Sequence, residues 1–113
     1  MLVILLYSGS MRFLNQTPAD KLIDLKGRPY FLWDCKLTRV QFEKHIQKSE
    51  NAEVRAYFAA KLLRQAKPDD VFLFLNPQEI ADLWEDMLPY LGRKKDFWDW
   101  LLNILARQGH VKR

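Results

Sequence analysis

Cysteine occurs once in 113 residues, at Cys35, which excludes an intramolecular disulfide and any zinc site built on cysteines. The two histidines, His45 and His110, stand 65 positions apart and offer little to a metal site or a catalytic triad. Only 4 Gly and 5 Pro argue against a loop-rich fold. There is no Walker loop and no G-x-G-x-x-G, so no phosphate-cradling turn is encoded. The longest apolar start, Met1–Tyr7, is seven residues, far short of the ~20 that cross a bilayer. It also lacks the basic n-region and the length of a signal peptide. Met11 is an alternative start, and residues 1–10 are expected to be a mis-called extension or a loose segment. These absences favour a cytoplasmic, non-enzymatic chain without cofactor or metal.

What is present is enough apolar material for one small domain: 49% hydrophobic residues against 28% charged. The fold class expected is all-α, four to five short helices in a compact bundle or irregular helical array, with an extended N-terminal segment. Residues 1–27 form a partly irregular N-terminal segment, 28–108 the helical domain and 109–113 a frayed basic tail.

The helix signals are local. Thr38 with Gln41 is a capping box, flanked by Leu37 and Phe42 at staple positions, and starts a helix over 39–48. Ser49, or Asn51, caps a second over 52–66, with apolar positions 56, 59, 60 and 63 on the 3.6 period. Pro68-Asp69-Asp70 opens a short helix into Val71–Leu75, where a five-residue buried strand is the competing reading. Asn76-Pro77-Gln78-Glu79 is a strong start. Ile80, Leu83, Trp84, Met87, Leu88 and Leu91 then trace one stripe, with Pro89 kinking or ending that helix and Gly92 stopping it. A last helix over 95–108 carries Phe97, Leu101, Ile104 and Leu105 inward, with Trp100 pointing elsewhere. Upstream, Thr17-Pro18-Ala19-Asp20 caps a short turn, and Tyr30–Trp33 is expected to be an extended segment inserting rings into the core.

Net charge is +4, but its arrangement says more than its size. Residues 69–86 hold six acids and no base, while Arg93-Lys94-Lys95 follow at once. This pattern is either a set of alternating solvated helix faces or an acidic docking face beside basic rims. Fifteen aromatic residues, four of them Trp, are many for this length. A small domain buries only ~60–70% of the surface its unfolded chain exposes, so some rings stay outside, where Trp, Tyr and Arg are binding hot spots. Trp33, Tyr90 and Trp100 are the foremost candidates, though capping of a small core fits each one equally. With Tyr30 and the acids Glu79, Asp82 and Asp86 they form the expected partner-binding set. The alternative is nucleic-acid binding through Arg93, Lys94, Lys95, Arg107, Lys112 and Arg113, with Trp rings stacking on bases. Cys35 is expected to be a packing thiol, and Asp96 and Asp99 complement a helix dipole.

The segment Arg28-Pro29-Tyr30-Phe31-Leu32-Trp33-Asp34 resembles a signature, R-P-Y-F-x-W-D, of small bacterial proteins. These are similar to the partner encoded beside abortive-infection nucleotidyltransferase-like toxins of the AbiEii class. Leu62-Leu63-Arg64, Asp70–Leu75 and Glu79-Ile80 extend the likeness over about residues 28–105. The resemblance implies an antitoxin or accessory role: binding and neutralising a neighbour-encoded nucleotidyltransferase toxin. It implies no catalytic residues.

Overall fold

The computed structural model describes residues 15–47 and 51–113; the first ten residues and Ser49 lie outside that range. Among the described residues the fold is all-α, with an isolated bridge between Ile23 and Pro29 and no strand. The helices are α1 (Ala19–Leu22), α2 (Arg39–His45), α3 (Ala52–Gln65), α4 (Pro68–Val71), α5 (Pro77–Asp82), α6 (Trp84–Leu91) and α7 (Lys95–Arg107). Two 3-10 turns, Tyr30–Leu32 and Gly92–Lys94, complete the list.

The capping signals act as the sequence requires. Thr38 and Gln41 form a reciprocal box at α2, and Asn76 and Glu79 another at α5, where Pro77 occupies the first turn. Asn51, rather than Ser49, caps α3: its carboxamide oxygen accepts from the Glu53 and Val54 amides. One turn of helix carries Val71, and Phe72–Phe74 then turn away, so the strand reading of Val71–Leu75 is excluded.

α3 is the axis of the molecule. Ala59 to Leu63 are five consecutive buried residues, which is possible only for a helix wrapped on all sides. Its most extensive partner is α6, and α2, α4 and both 3-10 turns also lie against it. Ala56, Ala59 and Ala60 keep its surface thin, so neighbours approach closely. Trp98 of α7 is fully buried, and its indole N–H donates to the Leu63 carbonyl at 3.0 Å. That bond satisfies the one polar atom of the largest core side chain.

Several expectations need correction. Tyr30–Leu32 is a 3-10 turn, not an extended segment; the turn sends Phe31 and Leu32 inward and leaves Trp33 outside. Thr17 caps nothing at α1; its hydroxyl is engaged with Asp70. The expected single helix from Pro77 is two helices, broken at Leu83, while Pro89 sits inside α6. No residue type at Leu83 accounts for the break. Phe97 lies on the exposed edge of the α7 stripe, where Leu101 and Leu105 are buried.

The C-terminal tail, expected to fray, is packed against the fold. Gly109 adopts φ 79°, which turns the chain back. Val111 is buried, and the Lys112 backbone exchanges two bonds of 2.9 Å with the Gln78 side chain. Arg113 pairs with Asp99 at 2.9 Å and lies over the Trp84 ring.

Candidate functional site

The resemblance segment is tied to the rest of the fold at both ends. Asp70 is its hub. This carboxylate is fully buried and accepts from the Thr17 amide at 2.7 Å, the Thr17 hydroxyl at 2.6 Å and the Tyr30 hydroxyl at 2.6 Å. Burial pushes the Asp70 carboxyl up, but the Thr17 and Tyr30 bonds outweigh it and hold the group below the usual carboxylate range. Tyr30 in turn accepts the Lys67 amide at 2.8 Å. Burial, and then its bond to Asp70, push the phenol up to about 12.

The other end of the segment is tied to α3. Lys61, nearly buried, donates to Asp34 at 2.6 Å, and Gln65 donates to the Phe31 carbonyl at 2.7 Å and to Asp34 at 3.2 Å. The Lys61 bond, with help from Gln65, holds the Asp34 carboxyl below its ordinary range against the opposing effect of burial. The pairing is asymmetric: the cation is buried and the anion faces water. Asp34→Ala therefore leaves an unpaired buried ammonium and is expected to cost about 1–2 kcal/mol, discounted because Asp34 is a third exposed. Lys61→Met removes the charge with its partner still solvated and is expected to be near neutral. Thermal melts of the two variants check this, and equal losses would contradict it.

Between these ties Trp33 projects outward, 76% exposed. It borders an open groove of about 470 Å³ whose walls include the charged Asp20, Lys21, Asp24 and Arg28 beside Ile23 and Cys35. The groove's far wall is the 23–29 loop. There the Asp24 carboxylate accepts the Lys26 and Arg28 amides and pairs with the Arg28 guanidinium at 3.1 Å. The Arg28 amide is the main cause holding the Asp24 carboxyl down. Gly27 takes φ 77°, closing the loop with fully exposed Leu25 at its tip.

The remaining expected site residues scatter. Tyr30 is committed to Asp70, as described. Glu79 is not part of a free acidic face: it closes the α5 capping box and pairs with Arg55 at 3.2 Å. Asp82 and Asp86 are exposed but stand on different helices, and Asp82 accepts from Gln78. Tyr90 is half-buried, edge-to-face on Tyr57, and its carbonyl takes the Arg64 guanidinium. Trp100 is exposed, as are Arg93, Lys94, Lys95 and Arg107. Arg113 is taken up by Asp99 and Trp84, so it does not join them.

Asp70, Lys61 and Gln65 escaped sequence reasoning, because their partners lie 27 to 53 residues away. The one signal in sequence was a lysine inside the apolar face of a helix. Among the described residues no group of three or more His, Cys, Asp or Glu is placed to hold a metal ion, and no helix is long and apolar enough to cross a membrane. No protein-family model, no curated protein sequence and no solved structure matches this chain.

Proposed function

We propose that the chain is a protein-interaction module that grips its partner at Trp33. The observation that carries this is the contrast at residues 30–34: backbone and flanking side chains are tied down at both ends, yet the largest ring is left in water. Leaving an indole out forgoes burial worth about 2–3 kcal/mol. A pre-fixed ring beside a groove loses little entropy on binding, which is the geometry of an interface anchor. The groove beside Trp33, walled by Asp20, Lys21, Asp24 and Arg28, receives a polar or charged side chain of the partner.

The partner class rests on the resemblance of Arg28–Asp34: a neighbour-encoded nucleotidyltransferase-like toxin, which the chain binds and neutralises in the cytoplasm as an antitoxin or accessory protein. Exposed Asp82 and Asp86, which do not line the Trp33 groove, offer a second, negatively charged contact suited to a basic nucleotide site. The test is co-expression with the neighbouring nucleotidyltransferase, with growth rescue and complex affinity as readouts. Trp33→Ala is expected to weaken the complex at least thirtyfold, about 2 kcal/mol, with the melting temperature unchanged. Asp82→Lys with Asp86→Lys is expected to slow association, mostly at low salt. Glu79 is left intact because its loss breaks a cap. Native affinity in the Trp33→Ala variant sinks the anchor.

A further inference from the structure

We propose that the outer face of α7, with the 3-10 turn before it, is a separate binding site for single-stranded nucleic acid. Trp100 is 50% exposed and Phe97 39% exposed. They stand one helical turn apart with ring centroids 6.0 Å apart and planes tilted by 42°. Packing does not demand this exposure, since the neighbouring Trp98 fills the core and contacts the Phe97 ring edge-to-face. The helix therefore offers two adjacent aromatic surfaces to whatever stands outside it.

Cations stand before and after those rings along the chain, with Arg107 on the Trp100 face. Arg93, Lys94 and Lys95 lead into the helix, and Arg107 follows Trp100 by two turns. All four are exposed, and none is in an ion pair among the described residues. The axial span from Lys95 to Arg107 is roughly 18 Å. On α7 itself the acids are Asp96 and Asp99. Asp99 is neutralised by Arg113 at 2.9 Å, which leaves Asp96 alone against four bases. The Arg107 guanidinium makes one long bond, 3.5 Å, to the Asn103 carbonyl and keeps its other donors.

Rings flanked by uncommitted cations complement a ligand that carries flat apolar faces on a negative backbone. Single-stranded DNA or RNA has that chemistry. A duplex does not, because its base faces are already stacked, and a convex helix face with rings at its crest cannot read them. A polyanion without bases satisfies only the cations.

The test uses the full chain and fluorescence anisotropy of labelled twelve-residue oligo(dT) and oligo(U), with a twelve-pair duplex and heparin as competitors, at about 50 and 200 mM salt. Saturable binding of either single strand is expected, weaker at the higher salt, with the duplex a poorer competitor. Trp100→Ala is expected to weaken it roughly tenfold while the circular dichroism melt is unchanged. Lys94→Glu with Lys95→Glu is expected to reduce the salt dependence as well as the affinity. Trp33→Ala is expected to leave it alone, which separates this site from the protein-binding groove. Three results overturn the proposal: no binding at 50 mM salt, equal binding of duplex and single strand, or Trp100→Ala binding as tightly as the native chain.

Discussion

Asp70→Ala is expected to lower unfolding free energy by about 3 kcal/mol and the melting temperature by roughly 15 °C. Three donors converge on this carboxylate from two places far apart in the chain, Thr17 and Tyr30. Hydrogen bonds to a charged group contribute about 1.5–3 kcal/mol each when cut singly, and unpaired buried donors cost more. The loss stays below the simple sum, because Thr17 can turn to water and burying a carboxylate is itself unfavourable. A melt within about 5 °C of the native protein would mean that the Thr17 and Tyr30 bonds to Asp70 contribute little to the fold.

The same network sets the pH dependence. The folded Asp70 carboxyl is held below its ordinary range, so its contribution is present above pH ~4 and is lost as pH falls through the folded value. Asp24 and Asp34 are shifted the same way, so the acid limb of the native chain is shared. The difference between the native and Asp70→Asn curves isolates Asp70. Tyr30 acts at the opposite end. Its folded value is raised to about 12, so the stability it contributes is intact below pH ~10 and is lost as pH rises from there through 12. Tyr30→Phe removes that alkaline step.

What could be read from sequence was what is local. Thr38 and Gln41, or Asn76 and Glu79, are three residues apart, and a capping box needs nothing from the rest of the chain. The helix ends at Gly92 and Gly109 are likewise decided by one positive φ each. What misled was what depends on distant partners. Asp69 and Asp70 look alike in sequence, both beside a helix start. Only the arrival of Thr17 and Tyr30 makes one of them the buried hub. Glu79 looks like one member of an acidic row until Arg55, 24 residues earlier, turns it inward. The tail looks like a frayed basic end until Gln78 and Trp84 receive it. In the Tyr30–Trp33 run the sequence names four apolar side chains and is silent on which face water. A strand would alternate them, but a 3-10 turn buries the middle two and exposes Trp33.

Phe42→Ala carries the largest expected loss, about 4 kcal/mol, because the Phe42 ring is the shared centre of contacts among four elements. Its ring is fully buried and meets Phe31 at 5.4 Å, Phe74 at 5.5 Å and Phe58 at 6.3 Å, each edge-to-face. Phe31 and Phe74 also meet each other at 5.5 Å, closing a triangle. One side chain thus binds α2 to the 3-10 turn, to the loop after α4 and to α3. Removing it deletes the transfer energy of a benzyl group and leaves a cavity walled by stiff rings that cannot collapse into it. Phe42→Leu keeps most of the volume and is expected to cost only about 1–2 kcal/mol. Chemical denaturation of both variants gives the ratio, and a loss under ~2 kcal/mol for the alanine would show that the triangle is not the centre of the core. The consequence reaches the surface. Phe31 stands between Tyr30, bonded to Asp70, and the Leu32-Trp33 pair. A partly unfolded triangle therefore loosens the only segment that holds Trp33 in place. Phe42→Ala, buried and without access to any partner, is then expected to weaken the Trp33-dependent complex at temperatures where most of the chain is still folded.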